Sequence, residues 1–404
     1  MPSFSARQHP SRAAPAEGKA GTGRPGTLAN GQDGPGEVEA LRASTRAVAL
    51  LDPDQACREA VDAGLIVHRV HPLNCETDLA ALIGGVVMPN GHFYVRNHFH
   101  IPRLTPPAWR LSVRGHVGRP QSLSLPELRG MRSQTVVATL ECAGNGRSRF
   151  SPPTAGEQWR LGAVSTAEWT GVPVSELLEH CGPRASAREL LFRGADSGSV
   201  PGRREPIRYE RSLSLDEAVR SRALLAYAMN GEPLPKRHGY PLRLVVPGWF
   251  AMASVKWLTE IELIDREFTG HFQTETYQYE TPAGARAPVT RQNVRSLIVE
   301  PAAGEQRARG AMTIRGVAWS GEAPVRTVEV SVDRGPWTRA SLVGEPIRHA
   351  WRWWELLTRI ERSGVVSLRA RATDEPGRTQ PNHAPWNRLG YGNNAIHDVE
   401  VVVP

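Results

Sequence analysis

Over residues 1–40 Gly, Pro, Ala and Ser crowd together, and no apolar position recurs at helical or strand spacing. Such a stretch buries too little apolar surface to offset the entropy of ordering and is expected to be a disordered tail. From Leu41 to about Leu65 the apolar spacing, with Ala-rich and charged residues between, suits one or two short helices. Between Ile66 and Ile264 short β-branched runs alternate with turn signals and brief helical patterns. This predicts strands at Phe93–Val95, Thr135–Glu141, Leu190–Arg193, Leu242–Val246 and Val255–Leu263, with helices at Val174–Cys181 and Leu215–Ala223. A mixed α+β domain follows, and without regular βαβ spacing or a GxGxxG after a strand, dinucleotide binding is disfavoured.

Beyond Arg291 the pattern becomes strict alternation. Val328, Val330 and Val332 face one way and run into Asp333-Arg334-Gly335, which predicts a hairpin. Similar runs at Met312–Trp319, Val365–Thr373 and His397–Val403 bring the count to about six short strands, as in an Ig-like sandwich. The expected division is a tail at 1–40, a mixed α+β domain at 41–285 and an all-β domain at 290–404.

Composition narrows the function. The 404-residue chain can bury more than one core. Its 49 Lys and Arg against 41 Asp and Glu give a net charge of +8, scattered along the chain, which favours small anionic substrates or an acidic partner over nucleic acid. The four cysteines, Cys57, Cys75, Cys142 and Cys181, form no CxxC, CxxCH or zinc spacing, so a disulfide scaffold, a c-type haem and a zinc ribbon are poorly supported. With no apolar run of membrane length, and neither a secretory core nor a twin arginine at the N-terminus, the expectation is a soluble, cytoplasmic protein without a membrane partner.

One segment carries distinctive chemistry. Thr139-Leu140-Glu141-Cys142-Ala143-Gly144-Asn145-Gly146-Arg147 sets a cysteine at the end of a β-like run, in a Gly-rich turn, with an arginine close behind. A thiolate suits a soft metal, nearby positive charge lowers a thiol pKa, and glycines let the backbone approach a bulky ligand. An isolated cysteine in such a turn is more often a small buried residue than a ligand.

The stretch resembles the CAGN(R)R signature through which the sulfite oxidase family binds molybdenum by cysteine. Further segments are similar to the family's in the same order: Tyr94-Val95-Arg96-Asn97-His98 with Ile101-Pro102, Trp159 to Val164, the turn Trp169-Thr170-Gly171-Val172-Pro173, Phe192 to Asp196, His238-Gly239-Tyr240-Pro241-Leu242-Arg243, and Ser254-Val255-Lys256-Trp257. In the second domain Trp386-Asn387-Arg388-Leu389-Gly390 and Asn393-Asn394-Ala395 resemble the family's WN-x-x-G…NNA segment.

The resemblance implies a molybdenum–molybdopterin cofactor, with no haem evident and Cys142 as metal ligand. It implies cofactor contacts from Tyr94, Arg96, Asn97, His98, Asp196, His238, Arg243, Ser254, Val255 and Lys256, with His, Arg and Lys donors holding the phosphate. It further implies catalytic roles for Arg96, Arg147, Trp159 and Tyr277, with Tyr279 competing for the tyrosine position and Arg160 as an added cation. The reaction implied is two-electron oxo transfer on a small sulfur oxo-anion such as sulfite. A separate electron acceptor such as a cytochrome, and a homodimer formed through the C-terminal domain, are the implied partners. Two departures are visible. Gly146 replaces one of the family's paired arginines, and Leu389 stands where the second domain would supply a third arginine, with Arg388 one residue off. Action on sulfane sulfur or a sulfoxide, and a non-catalytic binding protein retaining the fold, therefore stay open. Trp351, Trp353 and Trp354 are expected to fill a core or interface, and Cys57, Cys75 and Cys181 to be structural.

Overall fold

The computed structural model describes residues 50–82 and 85–404. The expected tail at 1–40, and the first helical stretch up to residue 49, lie outside the described residues. The remainder of that stretch forms one helix, Pro53–Asp62, which starts where the Asp52 carboxylate accepts the Asp54 N–H at 3.0 Å and Pro53 has no N–H to satisfy.

Two five-stranded sheets build the first part. In one, Val164–Pro173 lies between Gln134–Glu141 and Leu224–Met229 and is buried along most of its length. Trp169 to Pro173, expected as a turn, is the second half of this strand. Gly171 permits the close approach of its neighbour, since a Cβ there would meet the Leu225 carbonyl oxygen at 2.1 Å. In the other sheet the order is Gln121–Leu123, Leu111–Gly115, Leu258–Ile264, Glu189–Gly198 and Ile207–Ser214, with only the Leu111–Gly115 and Leu258–Ile264 pair parallel. Val174–Cys181 is helical as expected. The helix Leu215–Arg220 stops short of Ala223 because the Ser221 hydroxyl bonds back to the Glu217 carbonyl at 2.7 Å and Arg222 turns to φ 54°.

Two expected strands differ from the observed ones in ways that matter for the site. Phe93–Val95 makes only a single bridge, Val95 to Cys75, because the Tyr94 N–H is donated to the Ser165 hydroxyl at 3.2 Å instead of to a ladder. The run from Val255 becomes a strand only at Leu258, because Trp257 adopts φ 49° and breaks the ladder.

The C-terminal part packs two four-stranded sheets face to face. One runs Arg295–Glu300, Gly310–Trp319, Arg352–Ile360, Ser341–Leu342; the other runs Trp337–Arg339, Val325–Val332, Gly364–Asp374, His397–Val403. The count exceeds the expected one because Trp337–Arg339 and Ser341–Leu342 are too short to show alternation. Asp333 and Arg334, at φ 51° and 59°, close the predicted hairpin with the left-handed pair that matches strand twist.

Period-two alternation then sorts side chains between two cores. Ile298, Met312, Ile314 and Ala318 fill the sandwich. Leu297, Val299, Val317 and Trp319, on the opposite faces of the same strands, pack with Leu82, Met88, Leu161 and Val164 of the first part. Trp351 joins that junction, Trp354 the sandwich core, and the Trp353 indole donates to the Gly85 carbonyl at 2.8 Å.

Candidate functional site

The strand Gln134–Glu141 ends one residue before Cys142. The Cys142 N–H is held by the Ala163 carbonyl at 2.9 Å, and its carbonyl accepts the Asn145 N–H at 2.9 Å. The glycines of this loop are required by what lies above them. A Cβ on Gly144 would meet the Arg147 guanidinium at 2.7 Å, and Gly146 has φ 82° with Arg295 Nη2 2.9 Å from where a Cβ would stand. The Arg147 side chain is buried, donates from Nε to the Leu389 carbonyl at 3.2 Å and from Nη1 to the Glu157 carbonyl at 2.9 Å, and stacks on the Tyr391 ring. Burial pushes the Cys142 thiol above its ordinary pKa, opposed by Arg96, Arg147 and the Gly144 N–H. The sequence suggests a lowered thiol; the net direction is upward because desolvation outweighs the two cations.

Cys142 opens into a cavity. Tyr94, Arg96, Asn97, His98, Asp196, His238, Arg243, Ser254, Lys256 and Tyr277 all line it, although they come from segments far apart in sequence. One end gathers buried cations. Arg243 donates to the His238 and Ser254 carbonyls at 3.1 and 3.2 Å and lies over the Trp169 ring, and burial lowers its pKa to about 10. Lys256, turned inward by Trp257, bonds the Asn97 amide oxygen and the Arg237 carbonyl, and burial followed by the Arg243 charge lowers its pKa. His238 is buried and held neutral, and its Nε2 has no hydrogen-bond partner among the described residues. Asp196 Oδ1 is equally unpartnered. Gly194 makes room for that carboxylate, since a Cβ there would meet Asp196 Oδ1 at 2.4 Å. Cations held out of water on neutral oxygens form an anion site.

Burial raises the Asp196 pKa to about 7, with Lys256 opposing. A carboxyl raised on folding favours the fold most below its unfolded pKa and loses that contribution as pH climbs to the folded value. In cofactor-free protein, Asp196→Asn should therefore match the parent in thermal unfolding at pH 4 and melt several degrees higher at pH 8, a difference of at most about 2–4 kcal/mol. Identical pH profiles for the two proteins would show that Asp196 is not desolvated.

The other end of the cavity holds Arg96, His98 and Tyr277. The Tyr277 hydroxyl lies 2.9 Å from His98 Nε2, and His98 stacks on Tyr209. Burial, then the neighbouring Arg96 and Lys256 charges, keep His98 neutral, and burial holds Tyr277 protonated. Burial works against the Arg96 charge, but Tyr277 and Cys142 beside it more than offset this and raise its pKa. Tyr277 follows a π-helical turn, His271–Glu275, and sits at φ 54°, a costly conformation for an aromatic residue. That turn sends Tyr277 inward, whereas Tyr279 is off the cavity, against Gly392.

Other expected positions lie elsewhere. Trp159 is fully buried in the same apolar cluster as Cys142, precedes the strand Val164–Pro173, and does not line the cavity. Arg160 has a side chain 69% exposed, toward Glu76. The Val255 side chain packs in the core. Arg388 pairs with Glu280 at 2.7 and 3.0 Å and, with Arg286, holds that carboxyl near about 2, so it does not substitute for the expected third arginine. Tyr209, Phe93 and Met252 line the cavity without having been singled out; nothing but their apolar character marked them in the sequence.

Two protein-family models match the chain: an oxidoreductase molybdopterin-binding domain over residues 98–272 and a Mo-co oxidoreductase dimerisation domain over residues 286–403. The mitochondrial sulfite oxidase of Mus musculus is 37% identical, over 84% of this chain and 66% of its own length. The sulfite oxidase of Gallus gallus is 37% identical, over 83% of this chain and 77% of its own. This chain thus spans about two thirds of the mouse protein. Among solved structures, the sulfane dehydrogenase SoxCD from Paracoccus pantotrophus superposes with a TM-score of 0.74 at 29% identity, over 81% of this chain and 84% of that one.

Proposed function

Because the chain belongs to the sulfite oxidase family of molybdopterin-binding oxidoreductases, we propose that its cavity holds a molybdenum–molybdopterin cofactor and oxidises a small sulfur oxo-anion such as sulfite. The observation that carries the reading is one cavity joining a buried cysteine thiol to the Arg243 and Lys256 cations, which have no carboxylate partner among the described residues, and to His238 Nε2 and Asp196 Oδ1, unpartnered among the same residues. These groups fit the cofactor: a thiol for a soft metal, and charged donors for a phosphate. Among the described residues no group of three or more His, Cys, Asp or Glu could hold a metal, so Cys142 would act beside ligands that the cofactor brings. When bound, the cofactor supplies the two-electron redox change that side chains cannot.

The polypeptide's tasks follow from its own groups. Arg243, Lys256, His238 and Ser254 would bind and orient the phosphate end, with Asn97 fixing the Lys256 ammonium. Arg96, charged and half-buried, would attract the substrate dianion, while Arg147 orders the loop carrying Cys142. Tyr277 stays protonated and can donate to a substrate oxygen, with neutral His98 as its proton partner. Oxidation of sulfite by water to sulfate releases two protons and two electrons. We assign the electrons to a separate acceptor such as a cytochrome, and the match to a dimerisation domain supports a homodimer formed through residues 286–403.

One observation favours a second reading, action on sulfane sulfur: Leu389 offers Arg147 only its carbonyl, leaving the anion site without a guanidinium from the second domain. Protein purified from a host able to make the cofactor should contain molybdenum and pterin in amounts equal to the chain and reduce ferricyanide or cytochrome c on addition of sulfite. Protein free of molybdenum would end the reading, and turnover of a sulfane substrate without sulfite turnover would select the second.

A further inference from the structure

The strand that delivers Cys142 alternates in what it faces. Leu140 and Cys142 line the cavity, while the Thr139 hydroxyl accepts the Trp351 N–H at 2.8 Å and the Glu141 carboxylate accepts from the Trp319 indole, so both point the other way, into the second domain. Nothing in the chemistry assigned above uses Glu141, yet its carboxylate is buried and fully bonded. Oε1 accepts from Arg295 Nη1 at 2.7 Å and from Asn145 Nδ2 at 3.0 Å, and Oε2 accepts from the Trp319 indole at 2.9 Å. Arg295 and Trp319 belong to the second domain, and Arg295 Nη1 also reaches the Asn145 carbonyl at 3.3 Å. The contacts continue around the loop: the Gly392 N–H donates to the Ala143 carbonyl at 2.7 Å, Asn393 Nδ2 to the Gly146 carbonyl at 3.1 Å, and Arg147 Nε to the Leu389 carbonyl. From Glu141 to Arg147 the loop therefore rests on the second domain, and Glu141 is its one charged anchor adjacent to the thiol.

A buried ion pair is a poor source of stability, since desolvating both charges offsets most of their attraction. What it does supply is one geometry: a carboxylate pinned through both oxygens by guanidinium, amide and indole donors has little freedom to rotate. We propose that Glu141 is a positioning residue, through which Arg295 and Trp319 of the second domain set the placement of the Cys142 thiol in the active site. The second domain then serves the reaction centre as well as subunit association. This inference rests on the molybdenum reading of the cavity.

The test uses full-length, cofactor-loaded protein carrying Glu141→Gln or Trp319→Phe. The first removes the charge at nearly constant volume; the second removes one donor and leaves the ion pair intact. Both should retain molybdenum at close to the parent level, show displaced g-values in the Mo(V) electron paramagnetic resonance spectrum, and keep KM while kcat falls, by about 10–100-fold in the first and several-fold in the second. Parent spectra and parent kcat in both variants at equal molybdenum content would overturn the proposal. Should Glu141→Gln fail to fold, the Trp319→Phe spectrum and kcat decide alone. Molybdenum is measured in the parent first, and its absence there would overturn the functional reading itself, a result distinguishable from unchanged variants of a loaded parent.

Discussion

Cys142→Ser is expected to abolish turnover in a chain that still folds. The thiol is buried in the apolar cluster that also contains Leu140, Ala163 and Trp159, and its loop is held by main-chain bonds from Cys142, Asn145 and Arg147 that serine leaves intact. Because burial raises the thiol pKa, the cofactor-free parent carries a neutral group here, and exchanging it for a neutral hydroxyl should cost no more than about 1–3 kcal/mol. The ligand chemistry changes far more, since a hydroxyl with a much higher pKa cannot replace a thiolate on a soft metal. The purified variant should unfold within a few degrees of the parent, retain pterin because the phosphate end is untouched, and lose sulfite oxidation to background. Parent-like turnover would refute the ligand assignment.

Removing the buried cations should act at the other end of the same cavity. Arg243→Ala or Lys256→Ala each takes one charge-assisted donor from a phosphate, worth about 1.5–3 kcal/mol, or roughly 10–150-fold in cofactor affinity. Both side chains are fixed by local structure. Arg243 begins the short strand Arg243–Val245, and Lys256 precedes the left-handed Trp257, whose indole is tied to the Lys236 carbonyl at 2.8 Å. Molybdenum and pterin content per chain should fall together in both variants. Lys236→Ala, which removes an exposed side chain from the neighbouring turn, should leave occupancy unchanged. Full loading of the Arg243 and Lys256 variants would place the phosphate site elsewhere.

How far the sequence was legible can be read from particular residues. The run Ser254 to Trp257 and the run His238 to Arg243 each present their donors within a few positions, so a short motif was enough to find them. The hairpin at Asp333-Arg334-Gly335 and the alternation of His397–Val403 were legible for the same reason, because turn dihedrals and strand period are local. Tyr277 and Tyr279 were not separable, since two residues apart on a regular extended segment would share a face; the left-handed conformation at Tyr277, after the π turn, sends one inward and leaves the other outside. Arg388 was also undecidable, because its partner Glu280 lies 108 positions away.

By itself, then, the sequence determined the change from a mixed α+β pattern to alternating strands, the cysteine loop and most of the cavity-lining donors, because periodicity, turn chemistry and motif spacing act over a few residues. Only the tertiary structure decided that Trp159, Arg160 and Val255 stay off the cavity wall, that the Cys142 thiol is raised and not lowered, and that Glu141 is bonded into the second domain. Those outcomes depend on burial and on contacts between residues distant in the chain, and desolvation is the sum of everything that surrounds a group once the fold has closed over it.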